Sequence, residues 1–363
     1  MNKIILYGGS FDPIHLGHLF IAKNALSELK ADKVVFIPAS APRWKELESS
    51  SSDRLNMLKL AIEDYKEFEI NEIELNSTDE VNYTYNTVKS IVDDNNIYYL
   101  LIGSDQLNKL DAWYEIDKLS KLINIVCYKR ISDEINIDNA KKYNVTILNG
   151  EYFNQSSSEI RKGSKLYTPK SVLNYIEEHD LYYIKRIKSL INEKRYKHSV
   201  SVAHLSYHIA QNNSLDAHKA YLSALLHDIG KYVSNEETAA IMKEFYPNDI
   251  DLPSYSYHQF IGEYIAKNLF DVTDEEILDA IKYHCTGKAN MSPYAKIIYA
   301  SDKIDPLRGY DSRYMINACL ENIEIGFKLV LKENIKYFII KNVTYINRLT
   351  DECIRYYRPL KGN

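Results

Sequence analysis

Strand-length apolar runs alternate with longer amphipathic ones up to about residue 185, and past Arg186 the strand pattern stops. That switch constrains the chain more than any single motif. Lys3–Tyr7, Lys33–Ile37 and Tyr98–Ile102 read as buried strands, with helical patterns such as Leu19–Leu29 between them. Parallel strands need crossover connections, so this rhythm predicts an α/β, Rossmann-like domain with helices on both faces of a parallel sheet. Beyond Arg186 nearly every segment has helical spacing, broken at Pro247, Pro253, Pro293 and Pro306. An all-α domain is expected there. The expected organisation is two domains, 1–185 and 186–363, with LYYIKRIKSLINEKRYKH running helix into helix across the boundary. A chain of 363 residues is long enough for both.

Composition narrows the partners. With 45% hydrophobic and 26% charged residues, the chain has the usage of an ordinary folded protein. A net charge of -5 provides no global attraction to nucleic acid or anionic membrane, so any phosphate binding must be local. Cys127, Cys285, Cys319 and Cys353 form no close pair, which fits a reducing compartment and signals neither disulfides nor a thiolate zinc site. The opening apolar run is only a strand long and no later segment approaches a membrane span. A cytoplasmic protein is the expectation. Apolar helix residues at Phe327–Leu331 offer a surface for homo-oligomerisation.

The segment GGSFDPIHLGH, Gly8 to His18, follows the first strand and leads into a helix. Gly8 and Gly9 let backbone N–H groups approach a phosphate, and a helix N-terminus adds partial positive charge. His15 and His18 are three apart, so on a helix start they share a face. The string resembles the (H/T)xGH signature of the nucleotidyltransferase superfamily, whose members transfer AMP or CMP from a nucleoside triphosphate to a phosphate-bearing acceptor. IGSDQLNKLDAW, with Gly103 and Asp105 at a strand's carboxyl end, and QSSSEIRKG, with Ser157, Ser158 and Arg161 at a helix start, match that superfamily in order. The resemblance implies that Gly8, Gly9, Ser10, Phe11, His15, His18, Lys45, Gly103, Asp105, Ser157, Ser158 and Arg161 bind ATP. In that reading His15 and His18 contact the α-phosphate, and Lys45 and Arg161 hold the outer phosphates with Mg2+ bridging them.

NYTYNT (82–87), PASAPRWK (38–45) and the WYEIDKL run from Trp113 are similar to bacterial nicotinate-nucleotide adenylyltransferases. The similarity implies that the Thr84 and Tyr85 backbone holds the carboxylate of nicotinate mononucleotide while Trp113 stacks on its pyridine. Asn82 stands where that family more often has Ser, and the residues after Pro42 depart from its PPHK.

Seven of the ten histidines lie beyond residue 185. LLHDIGK, Leu225 to Lys231, ends an apolar helical run with the adjacent pair His227 and Asp228, and burying such a pair is costly unless a metal compensates. His198 precedes it; His258, His284 and Asp302 follow. The order H…HD…H…H…D resembles the HD phosphohydrolase superfamily and implies six N and O ligands for two cations of the iron, manganese or cobalt type. HCTGK and SDKIDPLRG further resemble bacterial HD-domain hydrolases that split diadenosine tetraphosphate into two ADP. Asp228 and Lys231 are then catalytic, Asp228 being also a ligand, and Lys231 and Arg308 neutralise polyphosphate. His204 and His208 have metal-like spacing but Leu205 occupies the place of a general base, so these two, His218 and His179 are expected to be ordinary packing or surface residues. Cys285 is expected to be a packed small residue. The alternatives that remain open are nicotinamide mononucleotide or phosphopantetheine as acceptor, a dNTP or guanosine polyphosphate as the second substrate, and a C-terminal half that senses nucleotides.

Overall fold

The strands β1 (Lys3–Gly9), β2 (Lys33–Pro38), β3 (Phe68–Ile70), β4 (Ile97–Gly103), β5 (Asn124–Tyr128) and β6 (Thr146–Leu148) hydrogen-bond in the order β3-β2-β1-β4-β5-β6. Every pair is parallel. This is a doubly wound sheet whose direction of winding reverses between β1 and β4, and open parallel sheets bind ligands at the carboxyl ends of strands beside that reversal. Gly8, Gly9 and Gly103 end those two strands. The α/β expectation holds for this half. The computed structural model describes residues 1–40, 47–78, 81–129, 134–149 and 155–357, so Lys45 lies outside the described residues.

The chain divides into two compact units, one of Met1–Arg161 and Tyr167–Tyr182, the other of Lys162–Leu166 and Tyr183–Asn363. The connection is thus not one crossing near residue 185. Lys162–Leu166 contributes to the second unit before the chain returns to the first through the helix Lys170–Glu178.

All regular structure described in the second unit from Tyr183 onward is helical. Tyr183–Leu190 is followed by Glu193–Asn212, started by Asn192, whose side chain accepts from the Arg195 N–H. Ala217–Leu226 packs on Glu193–Asn212, and both pack on Pro293–Ile304, which is buried along most of its length. Tyr257–Leu269 and Glu275–Lys282 complete the surround. Among the described residues no helix is long and apolar enough to cross a membrane.

Candidate active sites

In the first unit the helix after β1 starts at Leu16, one turn earlier than its apolar pattern suggests, with His15 as its N-cap in extended conformation. His15 is buried and its ring stacks on that of His18 at 3.7 Å. The His15 N–H donates to His18 Nδ1 at 3.3 Å. A neutral imidazole that accepts at Nδ1 carries its proton on Nε2, so His18 is held as an Nε2–H donor. Phe11, at φ 45°, meets His18 edge-on at 5.2 Å. Gly9 makes room for it, since an added Cβ there would lie 2.9 Å from the Phe11 ring. Among the described residues a Cβ at Gly8 would meet nothing within 4 Å, so the backbone there has room beside it for a ligand.

The loop between β1 and the helix is fastened through its own carbonyls. Arg54 Nη1 donates to Ser10 O at 2.8 Å, Arg161 Nη1 to Asp12 O at 2.7 Å, Ser157 Oγ to Pro13 O at 2.9 Å and Thr168 Oγ1 to Ile14 O at 2.6 Å. The Asp12 carboxylate is fully buried and accepts from Glu48 N, Ser49 Oγ and Tyr182 Oη at 2.9, 2.6 and 2.7 Å. Burial beside that carboxylate pushes the Tyr182 hydroxyl pKa well up. Ser157 and Arg161, expected at the phosphates, therefore stand against the cradle and shape it. Bonds to Asp12 and Glu48 use two of the five N–H groups of Arg161. Ser158 is exposed. Asp105 opens a short helix, its Oδ1 2.7 Å from where a Cβ would stand on Gly103. Arg54, Tyr182 and Asp12 are the residues that sequence reasoning missed. An acid and proline inside an apolar turn were the only hint.

Thr84 and Tyr85 are the first two residues of the helix Thr84–Ile91, whose N-cap Tyr83 makes no side-chain cap. The Asn86 and Thr87 N–H groups close onto Tyr83 O, so the Thr84 and Tyr85 amides lie in the turn where helix donors have no partner within their own helix. Such amides suit a carboxylate. Trp113 is half-buried and packs, like Tyr85, against the core on this side of the sheet. Tyr114, half exposed, covers Tyr83 at 4.4 Å and meets Tyr85 at 6.4 Å. Asn82 Nδ2 donates to Ser40 Oγ at 2.6 Å, and Glu74, its carboxyl raised by burial, accepts from Thr87 Oγ1 at 2.8 Å.

The second unit brings all six predicted ligands together. His198 Nε2 lies 3.1 Å from Asp302 Oδ1, and His227 Nε2 lies 3.7 Å from that oxygen and 3.5 Å from Asp228 Oδ2. His258 and His284 turn their Nε2 atoms to Asp228 Oδ1 at 3.4 and 3.5 Å. Three rings are aimed from behind by backbone: His227, His258 and His284 pair Nδ1 with the carbonyls of Ala224, Tyr255 and Ile281 at 2.6, 2.7 and 2.8 Å. The fourth, His198, pairs Nδ1 with Asp305 at 2.6 Å. His227 Nε2 and Asp228 Oδ1 are nevertheless buried without a hydrogen bond. Buried polar atoms that converge but do not bond fit a cation at their centre. Either of two groups could hold an ion, His198–His227–Asp302 or His227–Asp228–His284; they share His227, whose Nε2 lone pair serves one ion at a time.

Electrostatics agree with that fit. Burial would raise the carboxyl of Asp228, but His227 and His284 outweigh it and hold it well below the usual range; His198 and His227 do the same for Asp302. Burial and the neighbouring His284 push His258 down to about 3, which keeps its lone pair available. Burial opposes a charge on His227, but the carboxylates of Asp228 and Asp302 outweigh it and push that ring up to about 10.

Lys231 Nζ stands 3.4 Å from Asp228, and Arg308 pairs with Asp302. A cation absent from the sequence reading, Arg195, donates to Asp228 Oδ2 at 2.6 Å. It lines a cavity of about 600 Å³ beside His198 together with Lys194, Lys197, Leu307 and Arg308. Its only signal was its place one turn before His198 on the same helix. Neither ligand group includes His204, His208 or His218, whose rings lie against Tyr221 and Tyr207. His179 stacks on Tyr175 in the first unit. Burial pushes the Cys285 thiol pKa up, and that residue is in neither group.

Close packing of backbone brings His227 and His258 together. A Cβ on Gly230 would lie 2.5 Å from His258 O and 2.7 Å from Gly262 N. Gly230→Ala must therefore push the His227–Asp228 turn away from the helix carrying His258. We expect it to destabilise the helical unit by about 1–3 kcal/mol and to weaken metal retention. Calorimetric melting and elemental analysis check this, and an unchanged melt would refute it.

Comparisons with known proteins match both halves. Residues 6–163 match the cytidylyltransferase-like family model and residues 195–307 the HD domain model. The chain is 33% identical, over 91% of its length and 97% of the relative's, to a Mycoplasma genitalium protein named "Probable nicotinate-nucleotide adenylyltransferase/Ap4A hydrolase". A Mycoplasma pneumoniae protein of the same name is 29% identical over 90% of this chain and 98% of its own. A Listeria innocua protein named "Probable nicotinate-nucleotide adenylyltransferase" is 35% identical over 50% of this chain and 97% of its own.

Proposed function

The chain belongs to the family of those fused Mycoplasma proteins, a nucleotidyltransferase joined to an HD hydrolase, and from that premise we propose two reactions. Residues 1–185 transfer AMP from ATP to nicotinate mononucleotide, giving deamido-NAD and pyrophosphate. Residues 186–363 cleave diadenosine tetraphosphate into two ADP.

For the transferase, the observation that carries the reading is the His15–His18 pair on the glycine turn beside the sheet's reversal point. An acceptor phosphate oxygen attacks the α-phosphorus in line, and the bond to pyrophosphate breaks with its electron pair leaving on the departing oxygen. His18 Nε2–H and His15 stabilise the charge that gathers on the α-phosphate oxygens. Gly8, Gly9, Ser10 and Phe11 form the cradle, Gly103 and Asp105 close its other strand end, and Ser157, Ser158 and Arg161 border the outer phosphates, with Lys45 assigned there by sequence. Mg2+ bound with ATP neutralises phosphate charge.

The Thr84 and Tyr85 amides and Trp113 select the acceptor. Donors arranged for an anion are poorly matched by an amide, so nicotinate mononucleotide should exceed nicotinamide mononucleotide in kcat/KM by roughly 100-fold. Equal values would refute the assignment.

For the hydrolase, the carrying observation is the convergence of His198, His227, Asp228, His284 and Asp302 in two ligand groups, with His258 turned to Asp228 and His227 Nε2 and Asp228 Oδ1 unbonded between them. All donors are N or O, which suits Fe, Mn or Co and leaves thiolate-preferring chemistry aside. Such ions, when bound, supply Lewis-acid neutralisation of phosphate charge and activation of water. Asp228 belongs to one ligand group and Asp302 to the other, with His227 between them, and Lys231, Arg195 and Arg308 balance the polyphosphate. Assaying the full chain with a panel of acceptors and of nucleotide polyphosphates, products resolved by chromatography, tests both halves at once. AMP and ATP as products would reject symmetrical cleavage.

A further inference from the structure

Three of the four converging histidines sit at helix ends, where a carbonyl three residues earlier is available to their Nδ1. Substitution of another side chain cannot remove that support. His198 differs, because it lies inside the helix Glu193–Asn212, where the preceding carbonyls belong to the helix's own ladder. Its Nδ1 partner must come from elsewhere.

That partner is Asp305, fully buried just after the helix Pro293–Ile304. Its Oδ2 meets His198 Nδ1 at 2.6 Å, while its Oδ1 accepts from Ser201 Oγ at 2.5 Å and Leu307 N at 3.3 Å. Ser201 is one turn after His198 on the same helix, so the carboxylate grips that face at two points. Three residues earlier, Asp302 approaches the other nitrogen of the same ring. One short segment therefore supplies both a candidate ligand and the group that orients its neighbour.

Resting on the reading of this cluster as a metal centre, we propose that Asp305 is a positioning residue. It fixes the tautomer of His198 so that Nε2 faces the ion, and it serves the His198–Asp302 side alone. A carboxylate behind a histidine also makes the ring a stronger donor, and losing such a group typically weakens metal binding about 10- to 100-fold. The two ions are then held by unequal means, one through a carboxylate, the other through backbone carbonyls.

The test titrates metal-stripped, full-length chain with Co2+, following the visible spectrum and cobalt content. Wild type should bind two ions per chain. In Asp305→Ala one should be unaffected and the other weakened about 10- to 100-fold, while Asp305→Glu restores the weaker site. Both affinities unchanged, or both lost together in a variant with native circular dichroism, overturns the proposal. If the alanine variant does not fold, Asp305→Asn decides: it keeps the shape but not the charge, and unaltered binding of both ions in it overturns the proposal. Absence of cobalt binding by wild type would instead remove the metal-centre reading on which the proposal stands.

Discussion

His18→Ala is expected to reduce adenylyl transfer by about 10²- to 10³-fold, the usual cost of losing one charge-stabilising donor, while diadenosine tetraphosphate cleavage stays at the wild-type rate. The geometry makes His18 the better choice of the two histidines. Its Nδ1 is engaged by the His15 N–H, which leaves Nε2–H as the donor, and Phe11 supports the ring from one side. Removing the ring deletes the donor proposed for the α-phosphate while leaving the Asp12, Arg54 and Arg161 bonds that shape the loop. The loss should therefore fall on kcat more than on the KM for ATP, because charge on the α-phosphate oxygens grows only in the transition state. Steady-state kinetics of both reactions in one preparation measure this, and a transferase loss below tenfold contradicts the role.

Asp228→Ala should abolish hydrolysis and metal retention together. Its carboxylate is buried, belongs to the His227–Asp228–His284 group, and has His227, His258, His284, Arg195 and Lys231 around it. Without it, His227, Arg195 and Lys231 lose the carboxylate they face, so an incoming divalent ion meets repulsion where a counter-charge stood. The helical unit should also lose stability, and Asp228→Asn, which keeps the shape, guards against mistaking unfolding for lost chemistry. Elemental analysis beside product chromatography is the measurement; full activity in a metal-free preparation, or unchanged metal content and rate in the variants, contradicts the reading. Ligands bind in deprotonated form, so chelator or mild acid should silence hydrolysis as the metal leaves. Adenylyl transfer, assayed afterwards with fresh Mg2+, should persist.

Much of the molecule was legible without coordinates because its signals are local. A strand buried on both faces announces itself by a continuous apolar run, and β1, β2 and β4 did so. The phosphate turn is a contiguous string, and the six ligand candidates come in a recognisable order. Short edge elements were not legible: β3 and β6 have three residues each, too few to display any period. Nor was the path between units, since helical spacing looks the same whichever body a helix joins, and nothing in residues 162–182 marks the return to the first unit.

Residue type and spacing fix the two fold classes locally and name the histidines and carboxylates that are candidates for ligation, with His204, His208 and His218 set apart from them. Only the tertiary structure decided which atoms meet. It turned Arg161 and Ser157 toward the loop carbonyls, buried Asp12 beneath that loop with Arg54 and Tyr182, and brought Arg195 to Asp228. It chose the Nε2 face of all four histidines through three carbonyls and one carboxylate. Those choices depend on partners up to 170 residues away in sequence, and on a backbone approach that Gly230 permits. Hydrogen-bond direction and close packing are properties of the assembled chain, and no residue carries them alone.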